Sequence, residues 1–477
     1  MKQSIIIKYL LSLISAGLSL YFVITMKNLN ILPNIYLYIL IGIIILLNII
    51  TIIFIFSKKK WMKISGIIIF VILISFLSIG IYYSHNTLNF FNNSFNNHTV
   101  ETTTYKVLVH NKSYNRLTDL KNKSMGYFED DIQMADCLKH ITVKTNQKNY
   151  NNLINLYEDL INDKLDSIVL DNGYISILEE MFPDLITDTK VIYTFKLNKN
   201  IKKNYSITKE LKPVNIYISG SDSRDEVISD KSRTDVNMIL TINPDSKTIL
   251  ITSIPRDYYV SLYNTTGLKD KLTHSGIYGI NTSVKTIENL LDIKIDYYVK
   301  VNFKSVISLV DLVGGIDIYS DASFKTNCGD GGAVVTYVKE GVNHFNGAQA
   351  LSYARERYAY EDGDRHRIQN TQQVFKATFD KIMEDKSLLF KYEELLNSFG
   401  KLYLTNIPSD YVKLLVKKQI SDMSSWNFTL TQLDGSGAKM ETYSIPNYKT
   451  YVMIPYEDDI KKANENINKI LNEGIIN

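Results

Sequence analysis

DVNMILTINPDSKTILITSIPRD, residues 235–257, alternates apolar and polar side chains twice, on either side of Asn243-Pro244-Asp245-Ser246. Alternation with a period of two marks a strand with one face buried, and Asn-Pro-Asp-Ser is turn chemistry. The stretch is therefore predicted to be a β-hairpin. Working outward, VNIYISGSD (214–222) is a strand running into a turn, and NTSVKTIENLLDI (281–293) has helical spacing. KIDYYVKVNF (294–303) is again a strand. FKSVISLVDLVGG (303–315) is a helix stopped by Gly314-Gly315, and NGAQALSYARERY (346–358) and NTQQVFKATFDKIMEDK (370–386) are helices. Strands alternating with helices around one hairpin predict an α/β fold, a mixed central sheet with helices on both faces.

Further out, the organisation changes. Residues 9–26, 35–56 and 64–83 contain no charged residue, and a helix needs about 20 such residues to cross a bilayer. No convincing cleavage site follows the first, so three retained spans are expected. The connection SKKKWMK (57–63) is rich in lysine, with Lys2 and Lys8 at the amino terminus. The positive-inside rule puts both in the cytoplasm and everything after about Tyr83 outside. The expected organisation is a three-helix anchor (1–83), a polar linker (84–104), a small α/β accessory domain (105–208), a catalytic domain (212–385) and a C-terminal α/β extension of it (386–477). In the accessory domain, YKVLVHN (105–111) reads as a strand. NYNNLINLYEDLINDKL (149–165) is an amphipathic helix, and DSIVLDNGYISILEEMF (166–182) a buried strand and helix. LTDLKNKSMGYF (117–128) followed by DSIVLDNG resembles one lobe of an extracellular solute-binding protein. A spacer without a ligand, dispensable for chemistry, is the expected role.

Composition bounds the function. At +3 over 477 residues the chain has no charge footprint of a nucleic-acid binder. Its two cysteines, Cys137 and Cys328, lie far apart, no CxxC or HExxH occurs, and the seven histidines lack ligand spacing, which argues against zinc. An outer location excludes kinases, dehydrogenases and transcription factors, whose partners are cytosolic.

Arginine use is the sharpest signal. Lysine and arginine total 53, yet the arginines are only Arg116, Arg224, Arg233, Arg256, Arg355, Arg357, Arg365 and Arg367. In so lysine-biased a chain, an arginine stands where lysine does not serve. Its planar fork grips phosphate oxygens in pairs and is always charged, whereas lysine is a point charge. All but Arg116 fall in three clusters: GSDSRDEVISDKSRTD (220–235), SIPRD (253–257) and SYARERYAYEDGDRHR (352–367). The first follows a strand, where α/β sheets bind ligands. Gathered together, they suit a phosphate-rich anion with a divalent metal held by one or two carboxylates. Beside a membrane that anion is a lipid-linked phosphate or pyrophosphate. Because Arg355 and Arg357 are two apart, one helix face cannot hold both. The helix is expected to end near Arg355, with Asp362-Gly363-Asp364 returning the chain so that Arg367 reaches the same ligand.

GSDSR, SRTD, SIPRD, DKLTHSGIYG, YYVKVNF, LVDLVGGIDI, FNGAQALSYARERY and DGDRHR…NTQQ, in this order, resemble the LytR–CpsA–Psr family of cell-wall ligases over residues 212–385, and more weakly through TNIPSDYVKLL (405–415). The three spans and extra domain are similar to its CpsA-like members. The resemblance implies transfer of a phosphate-linked glycopolymer (capsule, teichoic-acid-like or other wall polymer) from an undecaprenyl-pyrophosphate carrier to peptidoglycan, with Mg2+ or alternatively Mn2+. It implies Asp222 and Asp235 as metal ligands and Arg233, Arg256, Arg355, Arg357 and Arg367 as catalytic residues, with Asp235 among them. Arg224, Asp364, Arg365, Asn370, Gln372 and Gln373 would bind substrate. The general base is open between Asp235 and Asp364. Thr371 interrupts the family's Asn-Gln-Gln pattern, and His366 is expected to face solvent. Two rival functions are a lipid pyrophosphate hydrolase and a non-catalytic receptor for polyprenyl phosphate.

Overall fold

The computed structural model describes residues 2–95, 100–110, 112–129, 131, 133–200, 210–221, 228–229, 231–327, 333–384, 398 and 402–475. Asp222, Arg224 and Cys328 lie outside them. Cys137 is a buried free thiol.

Three long helices open the chain: α1 (Lys2–Leu29), α2 (Asn34–Phe56) and α3 (Lys60–Phe95). All three are long and apolar enough to cross a membrane. They associate through small and polar residues, as helices in lipid do. Asn48 of α2 bonds Ser15 at 2.6 Å and Ser19 at 2.9 Å on α1. The 36 residues of α3 reach about 54 Å at 1.5 Å per residue, well beyond one hydrocarbon core. Residues 84–95, expected as linker, are thus helical. Leu88, Phe91 and Phe95 recur at helical spacing and pack on the large sheet described below. Their polar neighbours hid this face.

The accessory lobe is a five-stranded sheet of order β3-β2-β4-β1-β5. Its strands are β1 (Val100–Val109), β2 (Ser124–Phe128), β3 (Asn146–Tyr150), β4 (Ser167–Asp171) and β5 (Lys190–Asn200). Its helices are α4 (Met134–Lys139), α5 (Leu153–Ile161), α6 (Asn172–Met181) and α7 (Leu185–Asp188). β2, β3 and β4 run parallel to one another.

The large domain is built on β6 (Val214–Ser221), β7 (Val236–Asn243) and β8 (Thr248–Ile254). β7 and β8 form the expected hairpin, with Leu240 opposite Ile251. β9 (Tyr259–Val260) and β10 (Asp270–Lys271) pair antiparallel, and a 3-10 helix spans Leu272–Tyr278. Next come α8 (Ile280–Leu291), β11 (Tyr297–Asn302) and α9 (Phe303–Leu312). An excursion of β12 (Ile316–Ser320), β13 (Phe324–Lys325), β14 (Tyr337–Val338) and β15 (Gly341–Phe345) leads to α10 (Gly347–Arg355) and α11 (Asp364–Glu384). The chain ends with β16 (Leu404–Thr405), α12 (Ser409–Asp422), β17 (Asn427–Gln432), β18 (Gly435–Glu441), β19 (Lys449–Pro455) and α13 (Glu457–Glu473).

The main sheet has the order β16-β11-β6-β7-β8-β17. Residues after 402 are therefore part of the domain and supply both edge strands. The period-two pattern sorts the two cores. Tyr217, Ile239 and Leu250 face α8 and α13. Ile216, Ile218, Met238, Leu240 and Ile251 face the opposite side, where Phe91 and Phe95 of α3 and Tyr411 of α12 join them.

α9 and α10 cross so closely that a Cβ on Gly347 would stand 2.1 Å from the Ile307 carbonyl oxygen. Because the obstacle is backbone, relief needs a helix to move. Gly347→Ala is expected to destabilise the domain by about 1–3 kcal/mol, the usual cost of overpacking. Thermal unfolding of the full chain checks this; an unchanged transition would contradict the close crossing.

Candidate functional site

The hairpin register generates the site. Asn237 pairs with Ile254, so continuing the same ladder by two residues puts Asp235 opposite Arg256. Their side chains meet, Arg256 Nη1 donating to Asp235 Oδ1 at 2.9 Å. Thr273 Oγ1 donates to the same oxygen at 3.2 Å. The Asp235 N–H donates to Gly220 O at 2.8 Å, which ties the loop to the end of β6. The 232–234 backbone lies directly on the 3-10 helix, with Ser232 N–H on Gly276 O and Thr234 N–H on Thr273 O. This approach requires Gly276, whose Cβ would sit 2.4 Å from Ser232 O.

α10 ends at Arg355, and Glu356 is extended (ψ 134°). The buried Glu356 carboxylate then accepts the N–H groups of Arg357, Tyr358 and Ala359 and, at 2.6 Å, that of Asn327. This organises the turn that throws Arg357 toward the sheet. Gly363 takes φ 56°, and α11 begins at Asp364. Asp364 holds two arginines: Arg367 through Nε at 2.7 Å and Nη2 at 3.1 Å, and Arg357 Nε at 3.2 Å. Arg367 Nη1 also donates to the Asp235 carbonyl at 3.3 Å. The Arg355 guanidinium lies over the Phe303 ring, 4.3 Å from its centre. Arg233 Nη1 is 3.6 Å from Glu180 of the accessory lobe.

Arg233, Arg256, Arg355, Arg357 and Arg367 thereby line one end of a cavity of about 1150 Å³ between the main sheet and α9, α10 and α11. The body of the cavity is apolar, walled by Ile216, Ile218, Met238 and Leu240 of the sheet and by Leu309, Val374, Phe375 and Phe379 of the helices. Its far end reaches Tyr403 and Ile407. The Tyr403 ring centre lies 5.7 Å from that of Phe95, the last residue of α3.

Electrostatics divide the two ends sharply. Burial alone would raise the Asp235 pKa, but Arg256, Arg233 and Arg367 override it and hold the carboxyl well below the ordinary carboxylate range. Burial likewise opposes, and Arg367, Arg357 and Arg256 outweigh, for Asp364, which is also held low. Arg357 is pushed down, first by burial and then by Arg256 and Arg367, so positive charge exceeds negative around it. Among the described residues, Ser221 Oγ, at the end of β6 and on the cavity wall, and Arg256 Nε are buried and find no hydrogen-bond partner.

Several expected ligands do not reach the cavity. Arg365 turns outward, with Nε on Asp434 Oδ1 at 2.7 Å and Nη2 on Gly435 O at 3.1 Å. Asn370 Nδ2 donates to Tyr353 O, Gln373 accepts the Tyr353 hydroxyl, and Gln372 bridges Ser253 and Thr431. These three brace α11; the interrupting Thr371 is the residue that lines the cavity. His366, expected to face solvent, is half-buried, its ring stacked on Tyr360. Glu356, Phe303 and Glu180 carry no arginine-type signal, and sequence reading passed over them. Among the described residues no group of three or more His, Cys, Asp or Glu is placed to hold a metal. Asp235 uses only Oδ1 in the contacts above, so it suits a divalent ion whose remaining ligands are substrate phosphates.

A profile described as the LytR_cpsA_psr family matches residues 184–469. The chain belongs to the LytR_cpsA_psr family. It is 34% identical over 214 residues to a polyisoprenyl-teichoic acid–peptidoglycan teichoic acid transferase TagU of Bacillus anthracis, covering 45% of this chain and 66% of that protein. The protein of that name from Bacillus mycoides is 32% identical over 228 residues, 48% of this chain and 70% of that one. The crystal structure of B. subtilis TagV gives a TM-score of 0.45 at 29% identity, covering 55% of this chain and 98% of TagV.

Within this LytR_cpsA_psr domain, His274 carries a pH signature. It is fully buried on the 3-10 helix, with Nδ1 2.7 Å from Asp270 and Nε2 3.4 Å from Glu180. Burial would lower its pKa, but Asp270 and then Glu180 raise it from 6.5 to about 9. A raised value means that protonated His274 stabilises the fold fully below about pH 6.5, and that this contribution disappears as pH climbs through about 9. The melting temperature of the full chain should fall across that window, and His274→Gln should flatten the fall. An equal fall in both proteins would contradict the assignment.

Proposed function

We propose that the protein is a membrane-anchored phosphotransferase that moves a glycopolymer from a polyprenyl-pyrophosphate carrier, undecaprenyl in the simplest case, to a sugar hydroxyl of peptidoglycan. The observation that carries this reading is the two-ended cavity. Five arginines cluster at one end, and the apolar body runs to Tyr403 beside the end of α3. Only an amphiphile with a highly charged head satisfies both. The relatives named above, whose names give polyisoprenyl-teichoic acid and peptidoglycan, support the substrate class.

The bundle supports an extracytoplasmic domain. Lys417 of α12 reaches Asn30 and Asn34, between α1 and α2, so the large domain sits at that end of the bundle. The lysine-rich 57–63 turn lies at the other end. With that turn cytoplasmic, the domain is extracytoplasmic and the carrier's tail arrives from the outer leaflet past Phe95 and Tyr403.

In the reaction, the acceptor oxygen forms a bond to the phosphorus nearest the polymer, and the bond from that phosphorus to the bridging oxygen breaks. The lipid leaves as its monophosphate. Such transition states are loose, and catalysis is mostly positioning and charge stabilisation. Arg355 and Arg357 face the transferred phosphate, and Arg233, Arg256 and Arg367 the leaving one. Both oxygens of Asp364 are taken by arginine, and Asp235 is held too low to be an effective base. The departing phosphate, whose second pKa is about 6, is the better proton acceptor. Magnesium, with manganese as an alternative, would be held by Asp235 and by Asp222, and would neutralise phosphate charge when bound.

Purified full-length protein given polyprenyl-pyrophosphate-linked glycan, peptidoglycan fragments and magnesium should yield glycan joined to the fragments through phosphate. Release of free glycan phosphate with no joined product would instead identify a hydrolase. Within that assay, Arg355→Lys and Arg357→Lys should each lose about 10²-fold in rate, the usual cost of one preorganised donor. Arg365→Lys, whose fork rests on Asp434 and Gly435, should change little. Equal effects at all three positions would mean that surface charge alone is at work.

A further inference from the structure

The parallel strands of the accessory lobe end in a pair of acids that is already occupied. Asp171 closes β4 and caps α6 by accepting the Tyr174 N–H at 3.0 Å; Asp131 follows β2 and accepts the Tyr105 hydroxyl at 2.7 Å. Both carboxylates are fully buried. The carboxyl ends of parallel strands are where α/β sheets bind ligands. Here the occupant comes from the same chain: Lys231 Nζ stands 3.2 Å from Asp171 and 3.5 Å from Asp131.

Lys231 is two residues from Arg233 and four from Asp235, on the connection between β6 and β7. A second contact repeats the arrangement. Glu180, at the end of α6, is 3.6 Å from Arg233 and also holds Lys271 and His274 of the large domain. Its neighbour Glu179 lines the cavity. Apolar packing fixes the two bodies together: Ile277 and Ile445 of the large domain belong to the core cluster of the lobe, and a Cβ on Gly173 would meet Ile277 at 2.7 Å. The lobe is therefore no detached spacer.

We propose that the accessory lobe is a positioning element of the phosphate site, with Lys231 as the internal ligand of its strand-end acids and Glu180 as the partner of Arg233. On this account Lys231 and Glu180 act through Arg233 and Asp235. A buried lysine between two carboxylates keeps one geometry, because leaving either charge unpaired inside the protein is strongly unfavourable. The loop is thus drawn to the lobe at 231 and to the sheet at 235, and Arg233 between them is held toward the cavity.

The proposal rests on the phosphate-binding reading of the cavity, and the test separates the two. Full-length protein is titrated with geranylgeranyl pyrophosphate, and hydrogen exchange is followed in the 231–236 segment; neither readout requires polymer transfer. Lys231→Met should loosen exchange in that segment and weaken probe binding about tenfold, within the usual range of coupling between sites. Lys231→Arg should bind as the parent does. Because Lys231→Met leaves two buried acids unpaired, the charge-free Lys231→Met/Asp131→Asn/Asp171→Asn variant serves where the single variant fails to fold, and should show the same weakened binding. Parental binding in either Met-containing variant, whatever the change in melting temperature, would assign the cluster to stability alone and overturn the proposal. Absence of probe binding by the parent protein would overturn the phosphate reading and this proposal with it. Probe binding without polymer transfer would refute the transfer reading alone.

Discussion

Asp235 is a buried carboxylate surrounded by Arg233, Arg256 and Arg367, and the rest of the domain is arranged around the charge imbalance this creates. Five arginines line the end of the cavity, while the carboxylates that pair with them among the described residues are Asp235, Asp257, Asp364 and Glu180. Buried charges are tolerated when paired. The Arg357 guanidinium is held down first by burial and then by Arg256 and Arg367. An anion with several negative charges offsets this repulsion. The cluster is built by devices that are individually ordinary: the hairpin register that sets 235 against 256, a helix that stops at Arg355, a glycine turn at 363, and a second helix that returns Arg367.

The opposite end of the same cavity is oil-like. The sheet face made by Ile216, Ile218, Met238 and Leu240 continues into the cluster that receives Phe91 and Phe95. One apolar surface therefore runs from the reaction site to the membrane anchor. A carrier tail bound there leaves one low-dielectric medium for another, so binding demands little desolvation beyond the head group. The length of α3 gains a purpose in this light, since its last turns pack on the domain.

The parts read correctly from the residues were those with local periodicity or local rarity. The 235–257 hairpin, the helix end at Arg355 and the concentration of arginine in a lysine-rich chain are visible without a partner. Other features depend on partners far away in the chain. Asn370, Gln372 and Gln373 sit beside the arginines of the cavity in sequence, but their faces of α11 turn toward Tyr353 and Thr431. Arg365 resembles its neighbours, yet helical geometry turns it outward to Asp434. Glu180 and Lys231 reach the site or its loop across the lobe boundary, a contact between segments about 50 to 100 residues apart that no local pattern encodes. Residues 84–95 misled because the asparagines on one face masked three apolar residues on the other.

The central claim is that one cavity holds pyrophosphate among the arginines and a lipid tail along the sheet. An experimental structure of the full chain with bound polyprenyl pyrophosphate tests it most directly. The account predicts the two phosphates in contact with Arg233, Arg256, Arg355, Arg357 and Arg367, and the tail passing Leu240 and Phe379 toward Tyr403 and Phe95. Phosphates bound elsewhere, or a tail that leaves the cavity on the side away from α3, would contradict it.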